Sequence, residues 1–231
     1  MGPRFQDRFD GGRFLAKKLR RYADDPATLV LALPRGGVPV GYEVARSLNA
    51  PLDIFVVRKL GVPGYEELAM GAVASGGVTV LNDDIVQRLG IPRDVIQGVA
   101  RDEQAEVNRR EAAYRGNREP AQIMGKNIIL VDDGLATGAS MRAAVRALRQ
   151  KNPNSICVAV PIGSVETCDN LRSEADEVVC AETPEPFFAV GTWYSNFLQT
   201  TDDEVRELLD RVAQERKVGR AAKEKQRAFS E

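Results

Sequence analysis

Short apolar runs alternate along this chain with segments in which apolar residues recur at helical spacing. The runs at residues 29–33, 54–57, 128–131, 156–160 and 177–180 predict buried strands. Strands that alternate with helices are typical of an α/β fold with a mostly parallel sheet and helices on both faces. Because ligands bind such sheets beyond the carboxyl ends of the strands, the residues that follow each run are the first candidates for a functional site.

Helical spacing predicts the segments that connect these strands. Apolar residues recur every three or four positions over residues 41–48 and again over residues 141–148, which predicts one inward face on each helix. Residues 93–115 are polar with a sparse apolar stripe and predict an exposed helix. A shorter helix is predicted over residues 165–174.

Turn and capping signals complete the pattern. The apolar segments 69–74 and 78–81 flank Ser75-Gly76-Gly77 and predict a hairpin. Residues 201–204 read Thr-Asp-Asp-Glu, a capping box that opens a C-terminal helix. The charged tail at 217–231 is expected to be frayed helix or disordered.

Composition restricts the chemistry more than it restricts the class of protein. The chain has 231 residues, 43% hydrophobic and 28% charged, which suits a globular protein of one large domain. It contains no histidine, which excludes a Ser-His-Asp triad, a Cys-His pair and a histidine general base. Its net charge of -1 gives no global electrostatic case for nucleic acid, although a local basic patch is not excluded.

Three cysteines stand at positions 157, 168 and 180, and no pair of them has C-x-x-C spacing. Because Cys157 and Cys180 lie inside apolar runs, we expect both to be reduced core residues. The first 21 residues do not resemble a secretory signal, and no apolar run approaches the roughly 18 residues of a membrane span. These features predict a cytoplasmic protein without a membrane partner.

The most informative stretch is residues 128–140, IILVDDGLATGAS. An apolar strand delivers Asp132 and Asp133 to its carboxyl end, and a loop with glycines and hydroxyls then enters a helix. Unpaired amides at a helix start favour an anion, and the hydroxyls of Thr137 and Ser140 add donors. Acids for a diol beside amides for a phosphate suit a ribose 5-phosphate. The alternative is that Asp133 and Thr137 merely cap the helix.

This stretch resembles the phosphoribosyl-pyrophosphate signature of type I phosphoribosyltransferases: four apolar residues, two acids, three variable positions, then T-G-x-S/T. The resemblance implies that Asp132 and Asp133 hold the ribose 2- and 3-hydroxyls. It also implies that the 5-phosphate is bound by the loop residues Ala136, Thr137, Gly138, Ala139 and Ser140.

The resemblance covers roughly residues 29–199 and implies the fold of that family, a mostly parallel sheet flanked by helices with a small hood subdomain. We expect a single phosphoribosyltransferase domain over residues 1–231. Its core would be residues 29–181, and its hood would be residues 182–200, with or without residues 1–22. The segment at residues 4–12 has no assigned role: it either completes the hood or packs on the sheet.

Residues 33–37, Leu-Pro-Arg-Gly-Gly, follow the first predicted strand. They resemble the family's pyrophosphate loop, in which a basic residue and glycines expose backbone amides to the leaving group. The resemblance implies that Arg35, Gly36 and Gly37 bind pyrophosphate and that the peptide bond between Pro34 and Arg35 is cis. The alternative is an ordinary Gly-Gly turn.

Residues 58–64, RKLGVPG, resemble the R-K-x-G-x-x-P segment of adenine phosphoribosyltransferases, which leads into a mobile loop. By this resemblance Arg58 and Lys59 neutralise the departing pyrophosphate, and a loop glutamate assists the proton on the base. We assign that glutamate role to Glu67, with Glu66 as the alternative. The whole segment could instead be a solvated turn.

Residues 186–194 resemble the F-V-V-G-Y segment that closes over the base in hypoxanthine-guanine phosphoribosyltransferases. The match implies that Phe188 stacks on the acceptor ring and that Val190 offers backbone groups to its edge. A hydrophobic patch for dimer packing is the alternative. Ala136 stands where the hypoxanthine-guanine enzymes carry an aspartate, so the acceptor base stays open between purine-like and pyrimidine-like rings.

Together these resemblances imply a phosphoribosyltransferase of nucleotide salvage. It would transfer ribose 5-phosphate from Mg²⁺-bound phosphoribosyl pyrophosphate to a nitrogenous base and release pyrophosphate. The expected catalytic residues are Asp132, Asp133, Arg35, Lys59 and Glu67, and Mg²⁺ would be held mainly by the ligand and water near the two aspartates. A homodimer is expected. The alternatives are a sensor of phosphoribosyl pyrophosphate without catalysis, and an interaction protein with a degenerate site.

Overall fold

The computed structural model describes residue 2 and residues 4–228, with side chains up to residue 218. Its central feature is a five-stranded parallel sheet in the order β2-β1-β6-β7-β8. The strands of this sheet are β1 Thr28–Ala32, β2 Leu52–Ile54, β6 Asn127–Val131, β7 Ser155–Ile162 and β8 Glu177–Glu182. The predicted parallel sheet is therefore confirmed, and β6, which precedes the two aspartates, is its central strand.

A second, antiparallel sheet has three strands in the order β3-β4-β5. Its strands are β3 Val57–Val62, β4 Tyr65–Ala74 and β5 Val78–Leu81. The predicted hairpin is confirmed, and its first strand is longer than the apolar segment that predicted it.

The alternative that residues 58–64 are a solvated turn is wrong for most of that segment. Residues 58–62 are part of β3 and pair with β4, and only Pro63 and Gly64 form the turn. Leu60 and Val62 lie on one face of β3 and are buried, which stabilises the strand despite the charged residues beside them. Likewise, the predicted strand at 54–57 is divided, because β2 ends at Ile54 and β3 begins at Val57.

Seven α-helices surround the sheets within the described part of the chain. They are α1 Arg8–Lys18, α2 Gly37–Leu48, α3 Asp83–Leu89, α4 Arg93–Arg115, α5 Ala139–Arg149, α6 Val165–Leu171 and α7 Asp202–Ala228. The predicted bounds of α4 are confirmed, whereas α6 ends before residue 174. Within this part of the chain, no helix combines the length and apolar character that a membrane span requires.

Alternating residues of the parallel strands face two hydrophobic layers. One layer packs α1, α2, α4 and α7 against residues such as Val30, Ile129 and Val131. The other packs α5 and α6 against residues such as Leu31 and Leu130. The predicted inner faces of α2 and α5 are buried, so both faces of the sheet are covered as its apolar strands indicate.

The C-terminal helix begins as its capping box predicts. The Glu204 amide donates to Thr201 Oγ1 at 3.1 Å, and the Thr201 amide donates to Glu204 Oε2 at 2.8 Å. The backbone is helical through Ala228, which agrees with the helical alternative for residues 217–228 and not with the disordered one. Residues 229–231 lie outside the described residues.

The expectation of two reduced core cysteines holds for Cys157 and is wrong for Cys180. Cys157 is free and buried on β7, but Cys180 on β8 forms a disulfide with Cys168 on α6. Gly163, which connects β7 to α6, leaves room for both sulfur atoms: a Cβ there would lie 2.8 Å from the Cys168 sulfur. No spacing rule revealed this pair, because the crossover from α6 to β8 brings the two residues together.

A buried ion pair attaches the end of α4 to the parallel sheet. Arg115 donates from Nε to Asp53 Oδ1 at 2.8 Å and from Nη2 to the Ile54 carbonyl at 2.9 Å. Asp53 Oδ2 also accepts the Ala121 amide, and Arg115 Nη1 donates to Glu111. The side chains of Arg115 and Asp53 are 8% and 12% exposed, so loss of one would leave the other charged and desolvated.

We expect the substitution Arg115→Ala to lower the free energy of unfolding by about 3 kcal/mol, because it strands the Asp53 carboxylate. Arg109→Ala on the same helix removes a 63% exposed arginine that pairs with Glu106, and it should change that free energy by less than about 1 kcal/mol. Urea unfolding of both variants measures the difference. Equal, small losses in the two variants would show that the buried pair does not anchor α4.

Candidate functional site

Three strands of the parallel sheet end together, and their following loops form one site. The Leu33 amide donates to the Val131 carbonyl at 2.9 Å, which joins the end of β1 to the end of β6. On the other side, the Leu135 amide donates to the Ile162 carbonyl at 2.9 Å, which joins the loop after β6 to the end of β7. The loop after β6 is thus held on both sides by neighbouring strands.

The loop after β6 presents an uncapped helix N-terminus. Gly138 has a φ of 70°, a left-handed conformation that glycine adopts without strain, and α5 begins at the next residue. No side chain caps this helix, so the amides of its first turn have no partner within the helix. A cavity of about 170 Å³ lies at this helix start, and its lining includes Asp132, Val190 and the loop residues Gly134, Leu135, Ala136, Thr137, Gly138, Ala139, Ser140 and Met141.

Thr167 of α6 holds the loop after β6 in place. Its Oγ1 donates to the Ala136 carbonyl at 2.6 Å, and its methyl group would lie 2.6 Å from a Cβ at position 138. The Ser164 amide also donates to the Leu135 carbonyl at 3.0 Å. Sequence reasoning missed Thr167, because nothing in its own neighbourhood shows that α6 approaches the loop.

The two aspartates after β6 have different partners. Asp132 Oδ1 accepts the backbone amide of Asp133 at 2.8 Å. Asp133 Oδ2 accepts Arg8 Nε at 2.8 Å, and the carbonyl oxygen of Asp133 accepts the Tyr194 hydroxyl at 2.6 Å. The alternative that Asp133 only caps α5 is wrong, because α5 begins after Gly138 without a side-chain cap.

Burial dominates the protonation of this pair. It raises the pKa of Asp132 well above its ordinary value, and the negative charge of Asp133 raises it further. Burial also raises the pKa of Asp133, and the Arg8 guanidinium opposes that rise through its hydrogen bond and its charge. The two carboxylates therefore stay charged more readily with Arg8 present than without it.

The loop after β1 runs directly beneath the aspartates. The peptide bond between Pro34 and Arg35 is cis, as the resemblance implies. A Cβ at Gly36 would lie 2.8 Å from Asp133 Cγ, and one at Gly37 would lie 2.8 Å from the Val131 carbonyl oxygen. Only glycines let this loop and the end of β6 approach so closely.

The side chain of Arg35 extends toward the start of α7. Its Nη1 lies 3.4 Å from Asp202 Oδ1, and the same oxygen accepts the hydroxyl of Tyr114 on α4 at 2.9 Å. Sequence reasoning did not single out either partner. Asp202 served only as part of the capping box, and Tyr114 lies on a helix to which no role was assigned.

The candidate cations of β3 are engaged with carboxylates. Arg58 Nε lies 2.6 Å from Glu103 Oε2 on α4, and Lys59 Nζ lies 2.9 Å from Glu67 Oε2 across the β3–β4 hairpin. The Glu67 side chain is 98% exposed. Among the described residues, none of these three candidates has a hydrogen bond or ion pair to the aspartates or to the loop before α5.

The candidate hood residues differ in position. Val190 lines the cavity and packs on the loop after β6, since a Cβ at Gly134 would lie 2.5 Å from its Cγ1. Phe188 is 80% exposed, so its ring faces solvent. Trp193 and Tyr194 are buried in a small cluster with Phe5 and Ile162.

The residues present suit Mg²⁺ held largely by other ligands. No group of three or more metal-binding side chains exists among the described residues. Asp132 and Asp133 supply carboxylate oxygens, and Mg²⁺ is commonly bound by one or two carboxylates together with water and phosphate oxygens. The site therefore fits Mg²⁺ that arrives with a phosphorylated ligand.

Comparison with known proteins agrees with this geometry. The model of the phosphoribosyl transferase domain matches residues 63–196, which include both aspartates and the loop before α5. In two strains of Mycobacterium tuberculosis, proteins provisionally named phosphoribosyl transferases are 48% identical to this chain over 208 residues, 90% of this chain and 47% of theirs. The chain thus spans about half the length of the curated relatives it matches.

The fold is also that of a solved relative. The crystal structure of TT1426 from Thermus thermophilus superposes with a TM-score of 0.80 at 41% sequence identity, covering 89% of this chain and 97% of that one. The family match over most of the chain, the sequence relatives and the arrangement after β6 lead to one conclusion: this chain belongs to the phosphoribosyltransferase family.

Proposed function

We propose that this protein transfers ribose 5-phosphate from Mg²⁺-bound phosphoribosyl pyrophosphate to a nitrogenous base. The observation that carries the proposal is one cavity in which Asp132 lies beside the uncapped N-terminus of α5. Acids that accept hydroxyl hydrogens and amides that bind an anion match the two ends of a ribose 5-phosphate. Membership of the phosphoribosyltransferase family supports a transferase.

In this proposal the loop before α5 binds the 5-phosphate. The amides of Ala139, Ser140 and Met141 open the helix, and the positive end of its dipole favours the anion. The hydroxyls of Thr137 and Ser140 donate further hydrogen bonds. Asp132 and Asp133 accept the 2- and 3-hydroxyls of the ribose, which fixes the sugar ring.

The loop after β1 would hold the leaving group. Gly36 would offer its backbone amide beside Asp133, and Arg35 would supply positive charge. Gly37 would let the ligand approach closely, while its own amide donates to the Leu33 carbonyl at 3.0 Å. A ring nitrogen of the acceptor forms a bond to C1 of the ribose as the bond from C1 to the pyrophosphate oxygen breaks, with inversion at C1. Orientation and charge neutralisation accelerate such a step without a covalent enzyme intermediate.

Mg²⁺, when bound, would neutralise pyrophosphate oxygens as negative charge develops there. The carboxylates of Asp132 and Asp133 would be its protein ligands. Arg58 and Lys59 would exchange their present carboxylate partners for pyrophosphate, and Glu67, released from Lys59, would assist the proton on the base. Phe188 would stack on the acceptor ring, and Val190 would contact its edge.

The domain organisation is part of the same proposal. Residues 29–181 would form the core, residues 182–200 the hood, and the N-terminal residues would complete the hood rather than only pack on the sheet. The homodimer is proposed too, and light scattering of the purified protein measures its mass.

Incubation with Mg²⁺, phosphoribosyl pyrophosphate and a panel of purine, pyrimidine and related bases tests the activity. We expect pyrophosphate release that depends on both Mg²⁺ and one class of base. Tight binding of phosphoribosyl pyrophosphate without release in any mixture would support the alternative of a sensor. Absence of both binding and release would contradict the proposal.

We expect Asp133→Asn to weaken the binding of ribose 5-phosphate by about 1–3 kcal/mol, because the amide loses a charged acceptor for a hydroxyl. Inorganic phosphate should bind the variant as it binds the wild type. Asp169→Asn, which changes a 55% exposed aspartate on α6, is the matched control. Titration calorimetry measures all three affinities, and an unchanged affinity for ribose 5-phosphate in Asp133→Asn would remove Asp133 from the ribose site.

Holding the charged carboxylates of Asp132 and Asp133 next to each other should lower the free energy of unfolding compared with a variant that lacks one of the two charges. The pKa of Asp132 is raised in the folded state, so the protonated carboxyl favours folding. This contribution to the free energy of unfolding is fully present at low pH and is lost as pH rises through the folded-state pKa. We expect Asp132→Asn to raise the free energy of unfolding by about 1 kcal/mol at pH 8, with a smaller gain at lower pH.

Urea unfolding of wild type and Asp132→Asn across pH 5–8 checks the sign of this effect. Asp169→Asn should show no such gain at any of these pH values, since its side chain is exposed. A loss of stability in Asp132→Asn that grows with pH would contradict the assignment of a raised pKa to Asp132.

A further inference from the structure

The N-terminal segment, to which the sequence assigns no role, is built into the candidate site. The amides of Arg4 and Phe5 both donate to the Trp193 carbonyl, at 2.9 and 3.0 Å. In return the Ser195 amide donates to the Phe5 carbonyl at 2.9 Å, and the Asn196 amide donates to the Gln6 carbonyl at 2.8 Å. These bonds attach the N-terminal segment to residues 193–196 and bring the start of α1 to the end of β6.

Arg8, the first residue of α1, is fixed by three residues from two parts of the chain. Its Nε donates to Asp133 Oδ2 at 2.8 Å, and its Nη1 donates to the Leu198 carbonyl at 2.7 Å. Its guanidinium lies 3.8 Å from the centre of the Phe197 ring. The side chain is only 11% exposed, so a charged group is held at one geometry in the site.

The same ion pair lies against the loop after β1. A Cβ at Gly36 would lie 3.3 Å from Arg8 Nε and 2.8 Å from Asp133 Cγ. A side chain at position 36 would therefore displace the pair. The candidate pyrophosphate loop, the candidate ribose acid and Arg8 meet at one point.

We propose that Arg8 is a positioning residue of the ribose site, which holds the Asp133 carboxylate in the orientation that accepts a ribose hydroxyl. This inference rests on the proposed function and adds to it a residue outside the matched family region. Arg8 occupies only Oδ2 of Asp133, which leaves the second oxygen to accept a hydroxyl. The stack on Phe197 and the bond to Leu198 fix the guanidinium, and the guanidinium fixes the carboxylate.

An ion pair with only a structural role would not need to involve a residue of the candidate site. Arg13 on the same helix gives such a contrast: it is 53% exposed and reaches Asp10 and Glu43 at 3.4 Å. Arg8 is instead directed at one of two adjacent acids. Because a carboxylate held by one planar donor cannot rotate freely, its unpaired oxygen keeps a constant direction.

Binding of two ligands separates positioning from general stability. We expect Arg8→Gln to weaken the binding of ribose 5-phosphate about fivefold or more, while the affinity for inorganic phosphate stays within about twofold of wild type. Arg8→Lys keeps the charge but not the planar fork, so it should restore part of the loss and remain about threefold weaker than wild type. Arg13→Gln should bind both ligands within about twofold of wild type.

A double-mutant cycle identifies the residue through which Arg8 acts. If Arg8 works by orienting Asp133, the double variant Arg8→Gln/Asp133→Asn should bind ribose 5-phosphate within about twofold of Asp133→Asn alone. Losses that multiply in the double variant would overturn the inference, because Arg8 would then act independently of Asp133. An equal loss of phosphate and ribose 5-phosphate affinity in Arg8→Gln would overturn it as well.

The wild-type titration distinguishes failure of the inference from failure of the proposed function. If wild type does not bind ribose 5-phosphate, both are wrong. If wild type binds it and Arg8→Gln binds it equally well, only the role of Arg8 is wrong. Should Arg8→Gln fail to fold by circular dichroism, Arg8→Lys decides: wild-type affinity for ribose 5-phosphate overturns the inference, and the selective loss supports it.

Discussion

The desolvation of two neighbouring carboxylates at the end of β6 is the constraint around which the site is organised. Asp132 and Asp133 are desolvated together, and burial raises the pKa of each. The surrounding groups compensate in specific ways: Asp132 accepts a backbone amide, and Asp133 accepts the guanidinium of Arg8. Such an arrangement is typical of functional sites, where stability is sacrificed to hold charges that a ligand will use.

The parallel sheet explains why those charges remain close to the amides of the first turn of α5. β6 is the central strand, and the ends of β1 and β7 hold the following loop on both sides. Thr167 fixes the loop from below through the Ala136 carbonyl. The distance between the acids and the first turn of α5 is therefore set by the main hydrogen-bonded scaffold and not by a free loop.

A second regularity concerns the cations. Arg8, Arg35, Arg58 and Lys59 are each paired with a carboxylate: Asp133, Asp202, Glu103 and Glu67. To bind a polyanion, Arg35, Arg58 and Lys59 would each have to give up a carboxylate partner. This exchange lowers the affinity for the polyanion, but it keeps the cations paired when no ligand is bound. Arg8 differs from the others because it is the most deeply buried and its partner belongs to the candidate ribose site.

The pattern of apolar and polar residues predicted those elements whose structure depends on contacts between residues close in sequence. The strands, the hairpin, the ends of α4, the capping box and the inner face of α5 all follow from spacing within a few residues. The string at residues 128–140 predicted the strand, loop and helix of the candidate site for the same reason. The sequence did not predict contacts that depend on the chain path. Arg8 pairs with Asp133, which lies 125 positions away, and the disulfide between Cys168 and Cys180 depends on how β8 follows α6. The sequence did not predict that Arg58 and Lys59 belong to a strand, because their charges obscure the alternation of the buried Leu60 and Val62.

A crystal structure with ribose 5-phosphate bound tests the central claim most directly. The account predicts that the phosphate lies on the amides of residues 139–141, with both ribose hydroxyls within hydrogen-bond distance of Asp132 and Asp133. A ligand bound elsewhere, or a phosphate at α5 with the two carboxylates turned away from the sugar, would contradict it.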